Sequence, residues 1–308
     1  MPKKKTKRVG SALAAVLSLS LLAAGCGGDG DGDDAATDSS TGGAADKSIT
    51  LGIIPSWTDG LSTAYLWKDI LEDEGYEVTI KDLADAAPLY AGLAKGDVDV
   101  YPSAWPEVTH KSYMEQYQDD IEDLGAYYDN AKLTFAVPTY SDIESIADLP
   151  DHADELDGKI IGIEPGAGLT EVTKNSVMPT YKLEDDFQLV ESSTNAMLAQ
   201  LKKATDAKEP IVVTLWRPFW ANNSFPVKDL EDPEGALGEA EGLHELARGG
   251  FSEDYPEVAE MMSNLKLDDE QYGTLEDLVV NKYGSGKEAQ AVEEWLKDNQ
   301  DVVDSLQG

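Results

Sequence analysis

The sequence predicts an α/β fold of two lobes, each a mostly parallel sheet flanked by helices, with a cleft between them. From about residue 48 onward, short β-rich runs alternate with helical patterns, which is the mark of βαβ units. The alternation comes in two cycles separated near Pro138. Several runs stop at proline or glycine, where a chain turns.

In the first cycle, Ile49 to Ile54 reads as a buried strand ending before Pro55. Leu61 to Glu74 carries Leu61, Ala64, Trp67, Ile70 and Leu71 at helical spacing, closed by Gly75. Tyr76 to Leu83 alternates as a strand, Pro88 to Lys95 is a helix ended by Gly96, and Val98 to Tyr101 is a third strand. The second cycle starts after a strand at Lys132 to Val137. Strands follow at Lys159 to Ile163, Gln188 to Val190 and Pro210 to Leu215, with helices at Leu169 to Met178 and Ser193 to Thr205. The chain after about Gly242 reads as helical and closes with Lys287 to Leu306. The expected division is 48–138 in one lobe, 139–242 in the other, and 243–308 returning to the first.

The amino terminus reads as an export signal over residues 1–25. Lys3, Lys4, Lys5, Lys7 and Arg8 precede an apolar core, Ala12 to Ala24, that falls short of the roughly 20 residues needed to span a bilayer. Leu22-Ala-Ala-Gly-Cys26 resembles a bacterial lipobox, and Cys26 is the single cysteine, so it is expected to carry lipid rather than a disulfide. Residues 26–47, rich in Gly, Asp, Ser and Ala, read as a flexible tether. Their GDGDGDD run lacks the distal acidic ligand of a calcium loop.

The first 25 residues hold five of the 24 basic side chains and none of the 60 acidic ones. The remainder therefore has 19 basic against 60 acidic side chains, a formal charge of −41. Such a chain repels nucleic acid and anionic lipid surfaces. Three histidines, His110, His152 and His244, match no metal spacing, and no catalytic or nucleotide-binding motif appears. No catalytic residue, metal or cofactor is expected.

The tryptophans carry the chemistry. Trp57, Trp105 and Trp216 each fall just past the carboxyl end of a predicted strand, the edge where open α/β sheets bind ligands. One such tryptophan could equally cap a lobe's apolar interior; three at the same structural position favour a ligand. Trp67 and Trp295 lie in amphipathic helices and are expected to pack, and Trp220 is ambiguous. A trimethylammonium group has no N–H to donate, so indole faces, at about 0.5–2 kcal/mol each, suit it better than hydrogen-bond acceptors do. Glu164-Pro-Gly-Ala-Gly168-Leu169 joins a strand to a helix, and free amides at a helix start favour a carboxylate. His110, five residues beyond Trp105, is a possible further donor.

Several segments together resemble the glycine betaine/proline betaine substrate-binding proteins of ABC importers. They are IPSWTDG, GLAKGDVDVYPSAWPEVTHKSY, KIIGIEPGAGL, VESSTNAMLAQL, EPIVVTLWRPFW and LEDPEGALGEAEGLHELARGGF, spread from Ile49 to about Val280. The resemblance implies a type II periplasmic-binding-protein fold closing over its ligand. It also implies an aromatic cage of Trp57, Trp105 and Trp216, and a carboxylate site of the Gly168 and Leu169 amides with His110. The implied partners are a betaine and separate permease and ATPase subunits, at the extracytoplasmic face of a cell membrane, in osmoprotectant uptake. Family members often read W-x-P-H-W where this chain has Trp216-Arg-Pro-Phe219-Trp220, so a polar contact at Phe219 is lost. Choline or carnitine binding, and more distantly a secreted lipoprotein enzyme acting on small cations, are the alternative readings.

Overall fold

A computed structural model describes residues 47–307. The signal segment, Cys26 and all of the tether except Lys47 lie outside the described residues. Nine strands form one continuous run of pairing: β1 (Ser48–Ile53), β2 (Glu77–Asp82), β3 (Val100–Ala104), β4 (Ile121–Pro138), β5 (Lys159–Ile161), β6 (Gln188–Val190), β7 (Val213–Arg217), β8 (Val227–Asp229) and β9 (Glu241–Arg248). Their order is β2-β1-β3-β9-β4-β7-β5-β6, with β8 added to β4. Around β1 and around β5 the pairing is parallel, as βαβ crossovers require. The long strand β4 joins the two parallel groups. Its residues 121–131 pair antiparallel with β9, and residues 132–138 with β7 and β8. All described residues belong to one compact unit.

The first crossover helix, α1 (Thr58–Asp73), buries Ala64, Leu66, Trp67, Ile70 and Leu71 against the sheet. Ala64, Trp67, Ile70 and Leu71 belong to the apolar stripe expected from its spacing, whereas Leu61 is only half-buried and Leu66 is buried outside it. The second, α2 (Ala86–Lys95), starts with the Asp85 carboxylate accepting from the Ala86 amide. It ends at Gly96, whose φ of 73° a side chain would strain. Trp67 and Trp295 are core residues, 0 % and 1 % exposed. Their indole N–H groups are used internally, by Glu245 for Trp67 and by the Gln271 carbonyl (3.0 Å) and Thr274 hydroxyl (3.1 Å) for Trp295.

Three segments differ from the sequence expectation. Residues 241–248, expected to be helical, form β9 at the centre of the sheet. Leu243, Leu246 and Ala247 stand at spacings that imitate a helix, yet both faces of β9 are covered, so its burial has no period of two. Strand β4 begins eleven residues before Lys132, at Ile121. Its first part is broken by register shifts and by Gly125 at φ 110°, which hide the alternation. The closing helix is two helices, Glu288–Asp298 and Gln300–Leu306. Asn299 sits between them with its side-chain amide on the Trp295 carbonyl at 2.9 Å, competing with the backbone donor.

Candidate functional site

The turn after β1 brings Trp57 to the carboxyl edge of the sheet, and β3 delivers Trp105 to the same edge. Trp216 is the fourth residue of β7 rather than beyond it, paired opposite Leu133 of β4. These three indoles, 5–8 % exposed, line one cavity together with His110, Gly168 and Leu169. All six residues singled out in the sequence therefore share a single space. Asp59, Thr109, Leu133, Ile163 and Ala167 complete its walls.

Each ring is held in its plane by a neighbour. The Trp105 indole N–H donates to Asp59 Oδ2 at 3.1 Å, and the Trp57 N–H to Glu164 Oε2 at 3.2 Å. Trp57 stacks on the His110 ring with centroids 6.0 Å apart and planes 17° apart. Trp216 stacks on Phe219 at 4.0 Å, so the residue that departs from the family pattern serves here as a backing for an indole. Trp220 lines a different cavity, with Tyr272 and Glu276.

The loop from Trp105 to His110 closes on itself. The His110 amide donates to the Trp105 carbonyl at 2.7 Å, and the Trp105 amide donates to His110 Nδ1 at 3.1 Å. Since Nδ1 is an acceptor, the neutral ring carries its proton on Nε2, a donor. Thr109 is clamped by Glu241, which accepts from the Val108 amide (2.9 Å), the Thr109 amide (3.0 Å) and the Thr109 hydroxyl. Against Thr109 lies Gly168, opening helix α3 (Gly168–Val172). A Cβ on Gly168 would fall 1.8 Å from the Thr109 carbonyl oxygen, so only glycine permits this approach. The Gly168 and Leu169 amides are first-turn donors with no backbone acceptor among the described residues.

Burial sets the charges. It drives the His110 pKa down to about 3, so the ring is neutral at physiological pH. Burial also pushes Asp59 up, opposed by the hydrogen bonds from Trp105 and Ser103. Glu276, which accepts from Thr58, is raised to about 8, first by burial and then by the Asp59 charge. Glu241 is raised to about 6 by burial against its three donors. The cavity thus brings aromatic faces and a carboxyl together with neutral N–H donors, groups that suit a cation and an anion on one small molecule.

The family described as the substrate binding domain of ABC-type glycine betaine transport systems matches residues 47–298. The chain belongs to that family. It is a family of transport solute-binding proteins, not of enzymes. Among solved structures, the glycine/betaine/L-proline-binding protein ProX of Borrelia burgdorferi is 30% identical with a TM-score of 0.78, covering 85% of this chain and 97% of that one. Lactococcal OpuAC, solved closed with glycine betaine, is 28% identical with a TM-score of 0.78 over 85% of this chain and 100% of that one. A choline-binding protein of an ABC transporter, in complex with choline, is 28% identical with a TM-score of 0.76 over 85% and 91%. The glycine betaine/carnitine transport binding protein GbuC of Listeria monocytogenes is 35% identical over 156 residues, half of each chain. The fold is the mixed α/β fold of type II binding proteins, with helices flanking an open sheet.

In this glycine betaine-transport family member, sequence reasoning missed Asp59, Thr109, Glu164 and Glu241. All four lie inside the quoted segments, but nothing local marks Thr109 as a site residue or sets Asp59, Glu164 and Glu241 apart among 60 acidic side chains. Beneath the Trp105–His110 loop, His244 lies between Asp123 (Nδ1, 2.9 Å) and Glu107 (Nε2, 2.8 Å). Burial alone would lower its pKa, but the hydrogen bonds and charges of Asp123 and Glu107 outweigh it and raise it above 6.5. A raised histidine adds stability below its unfolded pKa and loses it as pH climbs through the folded one. His244→Gln is therefore expected to cost about 1–2 kcal/mol at pH 6 and less at pH 9, measured by urea unfolding. An equal cost at both pH values would contradict a charged His244.

Proposed function

We propose that this chain is the extracytoplasmic, lipid-anchored binding subunit of an ABC importer, and that it captures glycine betaine or a related betaine without chemical change. The observation that carries the reading is the shared cavity, which holds Trp57, Trp105 and Trp216 with Asp59 together with His110, Gly168 and Leu169. A quaternary ammonium gains from desolvated aromatic faces and a nearby carboxylate. A carboxylate gains from N–H donors that need no proton transfer, because His110 is neutral. The parallel strand groups around β1 and around β5 act as two lobes, joined through β4. Ligand contacts to both lobes favour the closed state by their differential affinity. That state docks on permease and ATPase subunits, and Cys26 holds the protein at the membrane.

A second reading is choline, favoured by the likeness to the choline-binding protein and by Asp59 on the cage wall. Choline would leave the donors at Gly168, Leu169 and His110 without an anion. The discriminating experiment is a thermal-shift titration of residues 47–308 with glycine betaine, proline betaine, carnitine and choline. Ligand at 100 times its dissociation constant adds about 2.7 kcal/mol, a shift of several degrees. Glycine betaine is expected to stabilise at lower concentration than choline. Tighter binding of choline would reassign the ligand, and no shift with any of the four would refute a quaternary ammonium site.

A further inference from the structure

Glu164 lies outside the cavity lining, yet it is the point where distant parts of the chain meet. It follows β5 and is 7 % exposed. Its carboxylate receives four hydrogen bonds. Two come from the turn after β1, the Trp57 indole N–H at 3.2 Å and the Ser56 hydroxyl at 3.4 Å. Two come from the start of the helix Thr194–Ala207 after β6, the Thr194 amide at 2.9 Å and the Thr194 hydroxyl at 2.7 Å. The first pair of donors is more than 100 residues away in sequence. The same Glu164–Leu169 turn is tied again to the first half, where Gly166 donates to Asp85 (2.9 Å) and accepts from Tyr113 (2.7 Å).

We infer that Glu164 is the positioning residue for Trp57, an acceptor-only clamp that holds this cage wall in place and fastens the two sides of the cleft to each other. The chemistry of the donor set demands a carboxylate. Every partner is a donor or a hydroxyl acting as one, and an ionised carboxylate accepts at both oxygens while an amide accepts at one and donates at the other. Glutamine, although the same shape, would turn an NH₂ toward at least one N–H and forfeit bonds on one side of the clamp. Trp57 is then pinned on two sides, by Glu164 at its N–H edge and by the His110 ring on its face. Loosening the edge bond frees the indole to leave the cavity and releases a fastening between the halves, so the loss should appear in the dissociation rate.

The binding arm of the test rests on the betaine reading; a second arm does not. In residues 47–308, Glu164→Gln is expected to raise the glycine betaine Kd about 10- to 50-fold, chiefly by faster dissociation, with the fold retained. Trp57→Phe keeps an aromatic face while removing the N–H with its five-membered ring, so in that background Glu164→Gln should add less than threefold. The ligand-free arm is hydrogen exchange of the six indole N–H groups by NMR, with Trp57 assigned by its disappearance in Trp57→Phe. Glu164→Gln is expected to speed exchange at Trp57 at least tenfold and leave Trp67 and Trp295 unchanged. An unchanged Kd, an undiminished effect in the Trp57→Phe background, or unchanged Trp57 exchange would overturn the clamp. Failure of the wild type to bind glycine betaine, with Trp57 exchange still released by Glu164→Gln, would refute the ligand and support the clamp.

Discussion

Gly168→Ala is expected to fold and to bind glycine betaine at least a hundredfold more weakly than the wild type. The added methyl would stand 1.8 Å from the Thr109 carbonyl oxygen and 2.5 Å from its carbon. Ordinary van der Waals contact starts near 3.5 Å, so the two backbones must part by well over an ångström. Neither side gives easily. Thr109 is held by Glu241 through its amide and hydroxyl, and Gly168 begins a helical run that continues through Thr180. The separation carries the Gly168 and Leu169 amides away from His110 and from the cage, and misplacing a donor by this much costs most of a charge-assisted bond. Gly168 has no left-handed φ, and alanine is a better helix former than glycine. The backbone clash outweighs that gain, so the variant should melt below the wild type without ligand. Calorimetric titration together with the unliganded melting temperature checks this. Near-wild-type affinity would show that the close approach at Thr109 is not part of the binding conformation.

Trp105→Ala is expected to weaken glycine betaine binding roughly 100-fold, the loss of about 3 kcal/mol. A cation–π face contributes about 0.5–2 kcal/mol, and the apolar area withdrawn from water adds the rest. Trp105 is also the residue whose backbone receives and gives both bonds of the His110 loop, so an empty cage wall disturbs the anion side as well. Truncating a buried tryptophan costs about 3–5 kcal/mol of stability, which alone could mimic a binding defect. Trp105→Leu separates the two effects: it restores apolar bulk without a π face. The leucine variant should recover most of the stability and still bind at least tenfold more weakly than the wild type, by calorimetry on protein shown to be folded by near-ultraviolet circular dichroism. Full recovery of affinity with leucine would mean that bulk, not the aromatic face, recognises the ligand.

The candidate site was legible where its signal is local. A tryptophan after a β-rich run, or a Gly-Ala-Gly turn between a strand and a helix, is written in a few neighbouring residues. Trp57, Trp105, Trp216, Gly168 and Leu169 were all readable that way, and His110 by its distance from Trp105. Glu164, Glu241 and Glu276 were not readable, because their roles depend on partners 107, 132 and 218 residues away. In a chain with 60 acidic side chains, no composition or spacing marks the few that are buried. Strand β9 was misread for a related reason. A strand covered on both faces loses its alternation, and Leu243, Leu246 and Ala247 then fit a helix as well as a sheet.

The sequence by itself determined the alternation of strands and helices, the edge of the sheet at which the indoles gather, and the large negative charge of the chain. Those features follow from periodicity, turn residues and counting, which act over a few residues or over the whole chain. Only the tertiary structure decided which carboxylates meet which donors, that β9 returns to the middle of the sheet, and that Thr109 and Gly168 pack backbone to backbone. Such pairings are settled by long-range packing, where a buried donor must find an acceptor wherever the fold brings one.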